Sequence, residues 1–273
     1  MLELDNLSVR FGGLAAVDGV SLRVDSHEVL GLVGPNGAGK TTLFNAISGL
    51  ARPAGGTIRF DGANIVRTAL FRRARLGIGR TFQIPQPLHE LTVRENLVVA
   101  QRFGTGRVDD GRLAEILDFT GLAAKAGSDA ATGLALTELK ALEVAKALAT
   151  NPRLLLLDEV LAGLETVGKR RFMAMLRELH ARFGVAMIII EHDIETISTL
   201  CQRVAVLDFG RLIADGAPDA VFRDPAVMRS YTGTSAGTSA GTSAQTSAGR
   251  SAVTSAQASA GSSAGTSTGA ADA

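Results

Sequence analysis

The run Gly34-Pro35-Asn36-Gly37-Ala38-Gly39-Lys40-Thr41-Thr42, set directly behind the apolar stretch Val29 to Val33, constrains this chain more than any other segment in it. It fits G-x-x-x-x-G-K-[ST] in the order strand, loop, helix that this pattern requires. The glycines let successive backbone N–H groups turn toward a polyphosphate, and a helix starting near Lys40 adds its positive dipole end. Lys40 supplies a point charge for the β- and γ-phosphates, and the Thr41 hydroxyl is placed to ligate Mg²⁺. A continuous apolar strand feeding such a loop belongs in a parallel sheet covered on both faces.

The rest of the chain supplies the remainder of that sheet. Leu154 to Leu157 and Ala186 to Ile190 are two further buried-strand candidates, and the segment between them carries Phe172, Leu176, Leu179 and Phe183 on one helical face. Ahead of the phosphate loop, Leu2, Leu4, Leu7 and Val9, then Val20, Leu22 and Val24, alternate with polar residues around Gly12-Gly13, which predicts short half-buried strands. Thr57 to Phe60 followed by Asp61-Gly62 predicts a hairpin strand and its turn. From about Gln83 to Thr150 the spacing is helical, as in Leu113, Ile116 and Leu117 and again in Leu139, Leu142 and Ala145. Strands alternating with helices predict an α/β chain with a mainly parallel sheet, interrupted by a helical insertion.

Two acids close the Leu154 strand, in L-L-L-L-D-E, and doubly wound sheets bind ligand at the carboxyl ends of their strands. Asp158 suits a Mg²⁺ ion held partly through water, and Glu159 suits the polarisation of an attacking water. His192, in I-E-H-D behind the strand Ala186 to Ile190, falls on the same sheet edge and is a candidate sensor of charge at a terminal phosphate.

Composition removes several function classes. The last 41 residues, Gly233 to Ala273, are almost wholly Thr, Ser, Ala and Gly, too poor in apolar groups to offset the cost of ordering a backbone, so this tail is expected to be disordered filler. Setting aside its Arg250 and Asp272, the remaining 232 residues hold 27 basic and 26 acidic side chains. That balance and an aromatic content of 4% argue against a nucleic-acid binder, which needs a basic face or stacking platforms. The longest apolar run, Val185 to Ile190, is far short of the ~20 residues that cross a bilayer. The start, M-L-E-L-D, lacks the basic and apolar regions of a secretory signal. The one cysteine, Cys201, is expected to be a small packing residue in a reducing compartment.

The order of these motifs over residues 2–232 resembles the nucleotide-binding subunits of ABC transporters. The resemblance implies a P-loop NTPase (RecA-like) core, an N-terminal antiparallel β subdomain, and an inserted helical signature subdomain at about 84–150. It makes Gly34 to Thr42 the Walker A loop for ATP, Asp158 the Walker B aspartate, Glu159 the catalytic base and His192 the switch histidine. Gln83, in T-F-Q, becomes the Q-loop glutamine, with Thr41 and Asp158 a candidate for holding Mg²⁺. Phe11 becomes the aromatic that stacks on adenine, and L-A-G-L-E at 161–165 the D-loop.

One segment departs from the family. Against its L-S-G-G-Q signature, this chain reads Leu134-Ala135-Leu136-Thr137-Glu138, with side chains where bare backbone approaches a partner subunit's phosphates and with an added negative charge. R-F-G-G at 10–13, G-R-T-F-Q at 79–83, L-T-V-R-E-N at 91–96, A-G-L after the acids and I-E-H-D resemble the uptake ATPases for branched-chain amino acids and their relatives for urea and short amides; the lipopolysaccharide-export ATPase is similar too. The implied partners are membrane permease subunits, a second ABC ATPase subunit (a heterodimer favoured, with a homodimer as the alternative) and, indirectly, a solute-binding protein, at the cytoplasmic face of the cell membrane.

Overall fold

The computed structural model describes residues 1–232; the tail expected to be disordered lies outside the described residues. Strand β1 (Leu2–Phe11) turns at Gly12-Gly13 into the antiparallel β2 (Leu14–Val24), with Leu2 opposite Val24 and Phe11 opposite Leu14. The alternation read from the sequence puts Leu2, Leu4, Leu7, Val9, Val20, Leu22 and Val24 inside, all buried. After β3 (Val29–Val33) and α1 (Lys40–Ser48), β4 (Gly55–Phe60) pairs with β1, and a two-residue turn leads to β5 (Ala63–Asn64). Asp61 and Gly62 there have φ of 48° and 79°, both positive as a type I′ hairpin turn requires. The result is a four-stranded antiparallel sheet in the order β2-β1-β4-β5.

The chain continues through α2 (Leu70–Leu76), β6 (Ile78–Arg80), α3 (Val93–Thr105), α4 (Asp110–Phe119) and α5 (Leu136–Ala149) to β7 (Leu154–Asp158). Then come α6 (Thr166–Phe183), β8 (Ala186–Ile190), α7 (Ile194–Leu200), the hairpin β9 (Arg203–Asp208) and β10 (Arg211–Gly216), and the closing helices α8 (Pro218–Val221) and α9 (Pro225–Thr232). The second sheet has the order β10-β9-β3-β8-β7-β6 and is parallel except for the β9–β10 hairpin.

Period-two alternation divides the core in two. Leu30, Leu32, Leu154, Leu156, Ile188, Ile190, Ala205 and Leu207 face one hydrophobic cluster with α1 and the antiparallel sheet. Val29, Val33, Leu155, Leu157, Met187, Ile189, Val204 and Val206 face the other, with the helices α3 to α6. Both faces are covered, which is why these strands read as unbroken apolar runs.

The expected helical stretch from Gln83 starts later than the spacing implied. Residues 84–92 are not helical and α3 begins at Val93. Pro85 and Pro87 lack the N–H a helix needs and push the residues before them out of the helical region. The loop is instead held by buried Asn96, whose Nδ2 donates to the carbonyls of Leu88, Leu91 and Thr92 while its Oδ1 accepts from the Leu88 N–H. Thr92 and Glu95 then close a reciprocal capping box on α3.

Candidate functional site at the carboxyl edge of the parallel sheet

The loop between β3 and α1 is tightly backed and open in front. A Cβ at Gly34 (φ 143°) would fall 2.0 Å from the Leu207 carbonyl oxygen, and one at Gly39 (φ 100°) 2.3 Å from that of Ala16, so only glycine fits either place. Gly37 (φ 80°) has nothing within 4 Å of its Cβ position. No side chain caps α1 and no acid stands in its first turn, which leaves the positive N-terminus to an anion. Asn36, Gly37, Ala38, Gly39, Lys40, Thr41 and Thr42 line a cleft of about 200 Å³ that Glu159 and Ala16 close. Lys40 Nζ donates to the carbonyls of Gly34 (2.7 Å) and Pro35 (3.0 Å). Burial pushes the Lys40 pKa down, and the nearby Glu159 and Asp158 push it back up.

Both acids emerge where β7 ends. Asp158 is buried, and its Oδ2 accepts from Arg80 Nη2 at 3.2 Å. Desolvation pushes its carboxyl up, against the pull of the Arg80 charge. Thr41, Gln83 and Asp158 line one cleft, together with Asn45 and Arg80. Among the described residues no group of three or more His, Cys, Asp and Glu side chains gathers as a metal site. One buried carboxylate, one hydroxyl and one amide around a phosphate cleft suit Mg²⁺, which is held by one or two carboxylates plus substrate phosphates.

Glu159 adopts φ 48°, rare for a residue with a side chain, and its N–H donates to the Ile190 carbonyl at 3.0 Å. This bend aims the carboxylate into the phosphate cleft. Gln83 Nε2 donates to Oε2 at 2.6 Å, and His192 Nε2 lies 2.6 Å from Oε1. A carboxylate only accepts, so His192 carries its proton on Nε2 in this contact. Three residues picked from distant motifs thus form one cluster. Phe11 sits at the tip of the β1–β2 hairpin, 56% exposed, and is not part of the wall of the phosphate cleft.

The departing segment begins α5. Ala135 occupies the N-cap and has no side-chain acceptor, while Glu138 Oε2 accepts from the Ala135 N–H at 2.8 Å. The added charge of Glu138 is thus engaged with the first turn of its own helix. Leu136 is 45% exposed, with Cδ2 beside Gly163 in the segment read as the D-loop.

Three charged side chains packed beside the acid pair and its turn escaped the sequence reading. Arg80 and Glu191 lie inside the motifs G-R-T-F-Q and I-E-H-D, where Gln83 and His192 drew the attention. Glu191 Oε1 accepts from the Leu161 N–H at 2.8 Å and so anchors the turn after Glu159 to the end of β8. Lys140 Nζ donates to the Glu159 carbonyl at 3.1 Å, which ties α5 to the same turn.

Comparison with known proteins gives the family. The ABC transporter family profile matches residues 17–162. The chain is 36% identical to the high-affinity branched-chain amino acid transport ATP-binding protein BraF of Pseudomonas aeruginosa, over 85% of this chain and 98% of that one. It is 34% identical, with the same coverage, to the corresponding protein LivG of Escherichia coli. Among solved structures it resembles a nucleotide-free ATP-binding cassette from an ABC transporter, with TM-score 0.77 and 30% identity over 85% of this chain and 98% of that one. The ADP conformation of an ATP-binding cassette of an ABC transporter is similar, with TM-score 0.77 and 31% identity over the same shares. A loop built for polyphosphate, the acid pair at its rim and relatives across nearly their whole length lead to one conclusion: the chain belongs to the ABC transporter family, as an ATP-binding cassette that hydrolyses ATP.

Proposed function

We propose that this ATPase drives an importer for branched-chain amino acids or a related small amide or urea solute, and that Glu159 is its catalytic base. The observation that carries the mechanism is the Glu159 carboxylate, in the wall of the phosphate cleft and gripped by both Gln83 and His192. The solute class is supported by what the relatives BraF and LivG transport.

In this reading the N–H groups from Asn36 to Thr42 hold the phosphates of ATP, Lys40 turns from its loop carbonyls to the terminal phosphates, and Phe11 stacks on adenine. Thr41, Asp158 and Gln83 would hold Mg²⁺, which when bound supplies charge neutralisation to the phosphates. Glu159 orients and deprotonates the attacking water. Each of its oxygens accepts one of these bonds and keeps a further lone pair for a water, so Gln83 and His192 set the direction in which the carboxylate meets that water. Turnover is thereby tied to the loops that carry those two residues.

Among the described residues no helix is long and apolar enough to cross a membrane. Membrane association therefore rests on partners. An apolar groove of about 240 Å³, with Leu70, Ala74, Phe82, Ala100 and Ala147 in its walls, runs beside the Gln83 loop. It supports docking of permease subunits at the cytoplasmic face, with a second ATPase subunit completing the assembly and a solute-binding protein acting indirectly.

The test is Glu159→Gln in the assembled transporter. ATP affinity should stay within about twofold of wild type, and turnover should fall by about 10²-fold or more, as expected for loss of a general base. Hydrolysis at the wild-type rate would remove Glu159 from the mechanism.

A further inference from the structure

Arg80 is a charged side chain held almost dry, 8% exposed, at the end of the edge strand β6. Its Nη1 donates to Asn45 Oδ1 (2.7 Å) and Ser48 Oγ (2.9 Å), and its Nη2 to Asp158 Oδ2 (3.2 Å). The guanidinium carbon lies 5.8 Å from the centre of the Phe44 ring and 5.1 Å from that of Phe82. Its Nε is buried with no partner.

That is a costly way to fasten a strand. A buried ion pair seldom stabilises more than apolar packing of the same volume, and an unpaired buried N–H adds to the cost. The partners point to a different use. Thr41, Asn45 and Ser48 are spaced i, i+4, i+7 and therefore share one face of α1. One planar group thus joins the helix face that carries Thr41 to the carboxylate of Asp158, two of the three residues read here as holding Mg²⁺. Arg80 and Phe82 also line both the nucleotide-side cleft and the apolar groove.

We propose that Arg80 is a positioning residue for the metal site: it occupies Asp158 Oδ2, leaves Oδ1 for the ion, and locks the carboxylate to the helix that carries Thr41. A lysine keeps the charge but lacks the planar fork that reaches Asp158 and α1 at once. Arg80 itself touches neither phosphate nor metal in this scheme. The inference rests on the reading of this site as one that binds ATP with Mg²⁺.

The experiment is nucleotide binding by the full chain, followed with a fluorescent ATP analogue in EDTA and across a Mg²⁺ titration, for wild type, Arg80→Met, Arg80→Lys and Asn45→Ala. Affinity in EDTA should be the same in all four, because the phosphate loop is untouched. The Mg²⁺ concentration at half effect should rise about tenfold in Arg80→Met, as when outer partners of metal ligands are removed elsewhere. Arg80→Lys should not restore it, and Asn45→Ala, which removes one of the two α1 partners of the guanidinium and leaves it on Ser48 and Asp158, should raise it by a smaller factor. A general loss of structure would lower affinity in EDTA as well. Should Arg80→Met fail to fold, Arg80→Lys and Asn45→Ala decide the matter. An unchanged Mg²⁺ requirement in folded variants overturns the proposal while leaving the ATPase reading in place. A wild-type protein whose nucleotide affinity ignores Mg²⁺ overturns the reading of Thr41 and Asp158 as holders of the ion, and the proposal with it.

Discussion

Gly34 and Gly37 are both glycines of the same loop with positive φ, yet their surroundings make different demands on them. At Gly34 an added methyl would meet the Leu207 backbone oxygen at 2.0 Å, and neither the loop nor β9 can retreat without opening the sheet. At Gly37 the space is empty, and the cost is confined to left-handed backbone strain of about 1–2 kcal/mol. Gly34→Ala should therefore abolish measurable ATP binding in calorimetry, and Gly37→Ala should weaken it far less. Equal affinities for the two variants would count against the tight backing of the loop. The same scale contains Glu159, whose φ of 48° keeps the proposed catalytic base at a backbone conformation that favours glycine. Cys201, expected to be a packing residue, is buried against Gly31, and burial pushes its thiol up to about 12. A thiol with that pKa is almost wholly protonated at neutral pH and a poor nucleophile.

The N-cap of helix α7 is the residue directly after His192, so this cap sets where the histidine stands. Asp193 is that cap: Oδ1 accepts from the Glu195 N–H at 3.1 Å, Oδ2 accepts from the Thr196 hydroxyl at 2.7 Å, and Lys169 donates to the same Oδ2. The Lys169 contact first, and then Thr196, pull its pKa down from 3.8 to about 2. A depressed carboxyl contributes stability that is fully present above its unfolded value and is lost as pH falls through the folded one. Asp193→Ala should lower Tm by about 2–4 °C at pH 7, the shift expected for about 1 kcal/mol of lost cap in a domain of this size. The gap from wild type should close as pH drops from about 4 toward 2. A gap that stays constant over that range would rule out the charged cap. At this scale the sequence was readable where one pattern dominated. Leu154 to Leu157 and Ala186 to Ile190 are unbroken because both their faces are covered, and α6 showed its stripe of Phe172, Leu176 and Leu179. Strand β6 was invisible because three residues ending in Arg80 carry no period, and its pairing to β7 is contributed by a segment 76 residues away. Motifs exposed Gln83, Asp158, Glu159 and His192. Arg80, Lys140 and Glu191 stayed hidden because their partners lie 19 to 78 positions off, a distance only the fold closes.

For the whole molecule, the proposed assembly places each ATP between the Walker A loop of one chain and the signature of the other. Here the phosphate loop, Asp158, Glu159, Gln83 and His192 are all present and gathered, while the signature position holds Ala135, Leu136, Thr137 and Glu138. Leu136 projects half exposed, and Glu138 is engaged with its own Ala135 N–H. A homodimer would face two complete ATP loops with two altered signatures. A heterodimer can set a regular partner signature over this chain's ATP, and leaves the altered one over the partner's. Turnover should then run mainly at the site of Lys40 and Glu159, with the other site holding nucleotide and stabilising the closed dimer. In the assembled transporter Glu159→Gln should stop transport, whereas the equivalent change in the partner should only slow it. Ala135→Ser together with Leu136→Gly should raise hydrolysis at the partner's site. The serine also completes the capping box with Glu138, whose half is already formed, and should add about 1 kcal/mol to α5, offset in part by the glycine. Transport assays of the two glutamate variants decide between the arrangements, since equal loss from both would count against unequal sites, and full transport with this chain as sole ATPase would exclude a required partner.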